Sequence, residues 1–93
     1  MTIPPDAVPY LPRGVRLHDD HVRGIKFLLA PERALKLDAT GAAILSELDG
    51  TTTFGALVAT LATRYDAPEN RIAEDAARFL AGLIDRRLVE VRP

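Results

Sequence analysis

Between Arg13 and Leu37 apolar residues recur at every second position, and beyond Asp38 the interval lengthens to that of a helix. Val15 and Leu17 alternate with Arg16 and His18, after which Asp19-Asp20 supplies turn chemistry. Ile25, Phe27 and Leu29 alternate with Gly24, Lys26 and Leu28 until Ala30-Pro31 interrupts the run, because proline restricts both itself and its predecessor. After the break Leu35 and Leu37 alternate with Ala34 and Lys36. The pattern predicts three short strands in a meander, over residues 15–18, 23–29 and 33–37.

Three helices are expected next. Asp38 is placed to cap the first, whose apolar residues are Ile44, Leu45 and Leu48 and whose end is marked by Gly50. Thr53 caps the second, with Phe54, Leu57, Val58, Leu61 and Tyr65 along one side. Asp66 and Glu69 have capping-box spacing ahead of the third, with Pro68 in its first turn. Ile72, Ala76, Phe79, Leu80, Leu83 and Ile84 then form a broad apolar face that ends near Arg87, and Leu88 to Val91 read as a short extended tail. The order is βββααα, an α+β arrangement with a small antiparallel sheet packed on helices. Residues 1–12 hold Pro4, Pro5, Pro9 and Pro12 and are expected to form a flexible arm, with residues 13–93 as one domain.

Composition narrows the function classes. The 93 residues contain no Cys, which excludes a disulfide scaffold, thiolate catalysis and the usual structural zinc sites, and fits a cytoplasmic location. Net charge is −1 with the signs mixed: six basic and five acidic residues over 1–38, and five of each over 69–93. Phosphate binding needs clustered cations, so a nucleic-acid partner is not expected. No apolar run reaches the length of a membrane span, and no export signal is visible. His18 and His21 flank Asp19-Asp20, but a solvated turn gives a metal too little supporting structure, and no metal site is expected. Phosphate loops, nucleophile elbows and HExxH are missing as well, and neither catalysis nor a cofactor is expected.

Two features suggest binding. An open sheet leaves edges whose N–H and C=O groups another chain can complete, and Arg33, Ala34, Lys36 and their neighbours Leu35 and Leu37 form the candidate edge. Gly82 stands in mid-helix, where glycine costs ~1 kcal/mol relative to Ala. Asp75, Phe79, Gly82 and Arg86 fall along one flank of that helix, and the glycine either opens a trough for another backbone or admits a side chain of the same domain.

The residues also resemble a known family. Arg13-Gly14-Val15-Arg16-Leu17, Arg23-Gly24 and Leu28-Leu29-Ala30-Pro31-Glu32-Arg33 are similar to the strand region of PqqD proteins, with its "LLxPE" segment. Asp49-Gly50 followed by Thr53 is similar to the family's "DG..T" link, and Arg64-Tyr65-Asp66, Asp75 and Leu80 fall in pattern. The match runs from about Leu11 to Val91, with Ala76 where Val is common and Arg87 where Gly is common. The resemblance implies a winged-helix-like peptide chaperone of pyrroloquinoline quinone biosynthesis, a recognition element for ribosomally made, modified peptides. Such a domain binds the precursor PqqA and presents it to PqqE, a radical S-adenosylmethionine enzyme. It also implies that the peptide adds as a strand to the third predicted strand and lies against the third helix. Two alternatives remain at this point: a winged-helix DNA binder, against which Arg71, Arg78 and Arg86 are balanced by Glu74, Asp75 and Asp85, and a small dimerisation domain.

Overall fold

A computed structural model describes residues 3–93. The elements are β1 (Val8–Tyr10), β2 (Arg16–Asp20), β3 (Ile25–Ala30), β4 (Arg33–Leu37), α1 (Ala39–Ser46), α2 (Phe54–Tyr65), α3 (Glu69–Asp85) and β5 (Glu90–Arg92). The α+β order expected from the sequence is present, with strands β2-β3-β4 forming an antiparallel meander. A second, two-stranded sheet joins β1 to β5.

The meander's register decides what each face carries. Leu17, Leu28 and Leu35 are aligned across the three strands, and Leu28 is fully buried beneath the helices. Because side chains alternate, Val15, Ala30 and Leu37 join that row against the core, while Ile25, Phe27 and Leu29 turn to the other face. The helices complete the interior with Ile44 and Leu45 of α1, Phe54, Leu57, Val58 and Leu61 of α2, and Ala76, Leu80 and Leu83 of α3.

Asp38 and Thr53 cap α1 and α2 as their positions indicate: the Asp38 carboxylate accepts from Gly41 N–H at 2.7 Å, and the Thr53 hydroxyl from Ala56 N–H at 3.1 Å. Between these helices Asp49 accepts from the N–H groups of Thr51 (2.9 Å) and Thr52 (2.7 Å) and from both hydroxyls. These bonds, those from the backbone foremost, hold its carboxyl well below the usual carboxylate range. The "DG..T" segment is therefore an anion-centred turn, followed by the cap of α2.

Several boundaries differ from expectation. Asp19 and Asp20 lie inside β2, and the turn falls on residues 21–24, where Asp20 accepts from Arg23 N–H at 3.3 Å and Gly24 takes φ 67°. The first helix stops at Ser46, ahead of Gly50. Asp66 does not cap α3. It closes α2 in the left-handed conformation (φ 51°), with Ala67 N–H donating to the Ala62 carbonyl at 3.0 Å, and Pro68 precedes α3 with no side-chain cap.

The flexible-arm reading of residues 1–12 needs correction over its described part; Met1 and Thr2 lie outside the described residues. Ile3 and Ala7 are buried, Val8–Tyr10 pair with Glu90–Arg92, and Pro9 is buried against Val91. Prolines lack donors but keep their carbonyls. Gly55 N–H donates to the Pro5 carbonyl and Phe54 N–H to the Ala7 carbonyl, both at 2.8 Å, satisfying N–H groups at the start of α2 that no helix partner reaches. A Cβ on Gly55 would sit 3.1 Å from the Pro5 oxygen, so glycine permits this approach.

The end of α3 explains one departure from the family pattern. Leu88 N–H donates to the Leu83 carbonyl and Arg87 N–H to the Ile84 carbonyl, both at 2.9 Å, the paired bonds of a glycine-type helix stop. Arg87 takes φ 62°, the conformation that favours glycine. Replacing Arg87 with Gly is expected to stabilise the fold by up to ~1 kcal/mol, raising Tm by roughly 4–8 °C in a thermal melt. A lower Tm would show that the arginine's own contacts outweigh its backbone strain.

Candidate peptide-binding groove

β4 is bonded to β3 on one side only. The chain reverses over Pro31 and Glu32, with proline first and a positive φ second (Glu32, 63°), as a type II turn requires. The turn closes on the Ala30–Arg33 pair. Doubly hydrogen-bonded pairs alternate with open ones along an antiparallel ladder, so Arg33, Leu35 and Leu37 spend their main-chain groups on β3. Ala34 and Lys36 direct theirs outward. Among the described residues, no other backbone hydrogen bond is made to that edge.

The helix flank lies alongside. Arg33 Nη2 donates to the Arg86 carbonyl at 3.2 Å, tying the start of β4 to the end of α3. Farther along, the Phe79 ring packs over Gly41, where an added Cβ would stand 2.9 Å from the ring, next to the Asp38 carboxylate that follows β4. Gly82, between these two contacts, is exposed, and nothing lies within 4 Å of where its Cβ would be. Among the described residues no side chain occupies the space, so packing by them does not account for the glycine. Asp75 stands at the far end, 3.5 Å from Arg78, and borders a pocket of about 210 Å³ with Thr40, Ile44, Tyr65 and Ile72.

The nine candidate residues do not all point the same way. Arg33 and Arg86 join the start of β4 to the end of α3, and Phe79 and Gly82 continue along the same helix flank, whereas Leu35 and Leu37 pack against the core and contribute no free main-chain group. Lys36 and Ala34 carry their side chains on the sheet's outer face. Gly41 and Thr40 were not foreseen. The Asp38-to-Gly41 cap spacing was visible, but only the contact with Phe79 shows why glycine stands there. His18, His21, Asp19 and Asp20 assemble no cluster: among the described residues, no group of three or more His, Asp or Glu side chains is placed to hold a metal. Arg78 of α3 is engaged by carboxylates of its own helix, 3.4 Å from Glu74 and 3.5 Å from Asp75, and is not free for phosphate. No helix among the described residues is long and apolar enough to cross a membrane.

Residues 26–89 match the family described as coenzyme PQQ synthesis protein D. The chain belongs to the PqqD family. A PqqA binding protein of Rhizobium meliloti is 46% identical over 85 residues, covering 91% of this chain and 87% of the relative. A bifunctional coenzyme PQQ synthesis protein C/D of Methylorubrum extorquens is 45% identical over 83 residues, covering 89% of this chain and 22% of that longer protein. The solution structure of the PqqD part of Methylobacterium extorquens PqqCD, a stand-alone recognition element for ribosomally synthesized and modified peptides, superimposes with a TM-score of 0.78 at 44% identity. It covers 89% of this chain and 88% of that one. PqqD from Xanthomonas campestris gives a TM-score of 0.58 at 37% identity, covering 94% and 97%. β4, α1, α2 and α3 lie within the matched span, so every candidate site residue falls in PqqD-family sequence.

Proposed function

We propose that this domain is a non-catalytic peptide chaperone that binds a PqqA-like precursor and presents it to a PqqE-like radical S-adenosylmethionine enzyme. The peptide adds as a strand to the outward main-chain groups of Ala34 and Lys36 and lies against Phe79, Gly82 and Arg86 of α3. Family membership and the relatives named for PqqA binding support the ligand class. The observation that carries the site is the empty space over Gly82, beside an unpaired strand edge. Strand addition suits a surface that offers main-chain groups and a shallow trough. The chemistry belongs to the enzyme, in the cytoplasm.

The test is titration of an isotope-labelled domain with the precursor peptide, for the wild-type protein and Gly82→Gln. The variant should fold at least as stably, since leaving glycine behind gains up to ~1 kcal/mol of helix propensity. It should bind peptide at least tenfold more weakly. Unchanged peptide affinity in the folded variant would remove α3 from the site.

A further inference from the structure

The outer face of the β2-β3-β4 sheet points away from the apolar cluster that the helices complete, and its apolar side chains are half-buried. Ile25, Phe27 and Leu29 form its centre, and among the described residues they are absent from the apolar cluster that makes the core. The register sets the rows: His18, Phe27 and Lys36 stand side by side, and next to them Arg16, Leu29 and Ala34. Arg16 and Lys36 thus flank the apolar centre from opposite edges. Neither has an acidic partner within 4 Å among the described residues, whereas Asp20, the one carboxylate on this face, is engaged by Arg23 at 3.8 Å. Val22, 96% exposed, stands at the tip of the same β2–β3 hairpin.

We infer that this face is the docking surface for the modifying enzyme, through an apolar patch on that enzyme rimmed by carboxylates. The inference rests on the peptide-presenting role proposed above. Charge selects the partner: two unpaired cations around an aromatic centre repel a copy of themselves and attract acidic groups. Size selects the kind of contact. Three strands ~4.8 Å apart and about five residues long give a face of roughly 250 Å², far below the ~800 Å² per partner of a stable interface. On its own the face supports a transient encounter and not a lasting dimer. A peptide added to β4 changes this, because it becomes a fourth strand whose alternate side chains extend the same face. The enzyme then touches adaptor and substrate together, and the loaded domain is its preferred partner. Binding free energies are reciprocal, so enzyme must tighten peptide binding by the same factor.

The experiment titrates dye-labelled domain with a PqqE-like radical S-adenosylmethionine enzyme, with and without saturating precursor peptide, for wild type, Phe27→Glu and Arg16→Glu. Peptide affinity and circular dichroism are measured in parallel. Phe27→Glu is expected to stay folded, bind peptide within twofold of wild type and lose at least tenfold in enzyme affinity. Arg16→Glu, which leaves the apolar centre intact, should lose about threefold and show a shallower salt dependence. Wild type should bind enzyme more tightly when loaded. Enzyme binding unchanged in both folded variants overturns the inference, as does a folded Phe27→Glu that loses peptide equally, or wild-type self-association that Phe27→Glu abolishes. A wild-type domain that binds enzyme but no peptide would instead overturn the peptide-holding role.

Discussion

Proline at Ala34 or Lys36 should abolish peptide binding while leaving the domain folded, and proline at Leu35 should damage the sheet itself. The outward N–H groups of Ala34 and Lys36 are free, and the backbone of an edge strand tolerates the proline φ. Losing one donor and placing a ring at the ladder removes a hydrogen bond of ~0.5–1.5 kcal/mol and blocks close approach of the added strand. The ring's obstruction of neighbouring bonds is expected to carry the loss beyond tenfold. At Leu35 the N–H is spent on Leu28, the fully buried residue of β3, so proline there breaks a ladder bond over the core. Peptide titration and thermal melts of the three variants check the alternation. Folded Ala34→Pro and Lys36→Pro proteins that hold peptide with wild-type affinity would refute strand addition. Lys36→Ala, by contrast, should weaken binding only modestly, because it keeps the main chain intact.

The second large effect concerns stability. Ile3 is buried against α2 and α3, close to Phe54, Ala73 and Ala77. Ile3→Ala is expected to cost ~2–4 kcal/mol, as for other buried Ile truncations, and to lower Tm by roughly 10–25 °C. Deleting residues 1–7 should cost more, because it also removes the Pro5 and Ala7 carbonyls that accept from Gly55 and Phe54. A denaturant or thermal series on both proteins measures this. Wild-type melting of the deletion protein would return the segment to the status of an arm.

These two effects mark where the sequence was informative and where it was not. The edge at 33–37 was legible because Pro31 fixes the turn and the Leu35/Leu37 alternation is clean. Asp38 and Thr53 were legible as caps because their side chains act on N–H groups three residues away. The β1–β5 sheet was not. Its strands are three residues each, too short for a period, and they lie at opposite ends of the chain. The prolines pointed to missing donors and hid the carbonyls that anchor the segment. Asp66 misled for a related reason, since the same side chain suits a helix start and a left-handed stop. In β3 almost every residue is apolar, so alternation alone did not say that Leu28 would face the core and Phe27 the outside. Gly82 left two readings open, and choosing between them required the position of every neighbour.

β4 is only five residues long, and in the strand-addition role proposed above that brevity would govern how substrate is handed over. A strand of this length spans ~17 Å, so the grip takes hold of one short stretch and the remainder of the precursor swings from it as a leash. The reach of a flexible leash grows only as the square root of its length. A tether of this kind would keep the reacting residues near an enzyme docked on the same domain at an effective concentration in the millimolar range. An adaptor working in this way would hold its peptide loosely enough to release the product and still deliver it as though it were abundant.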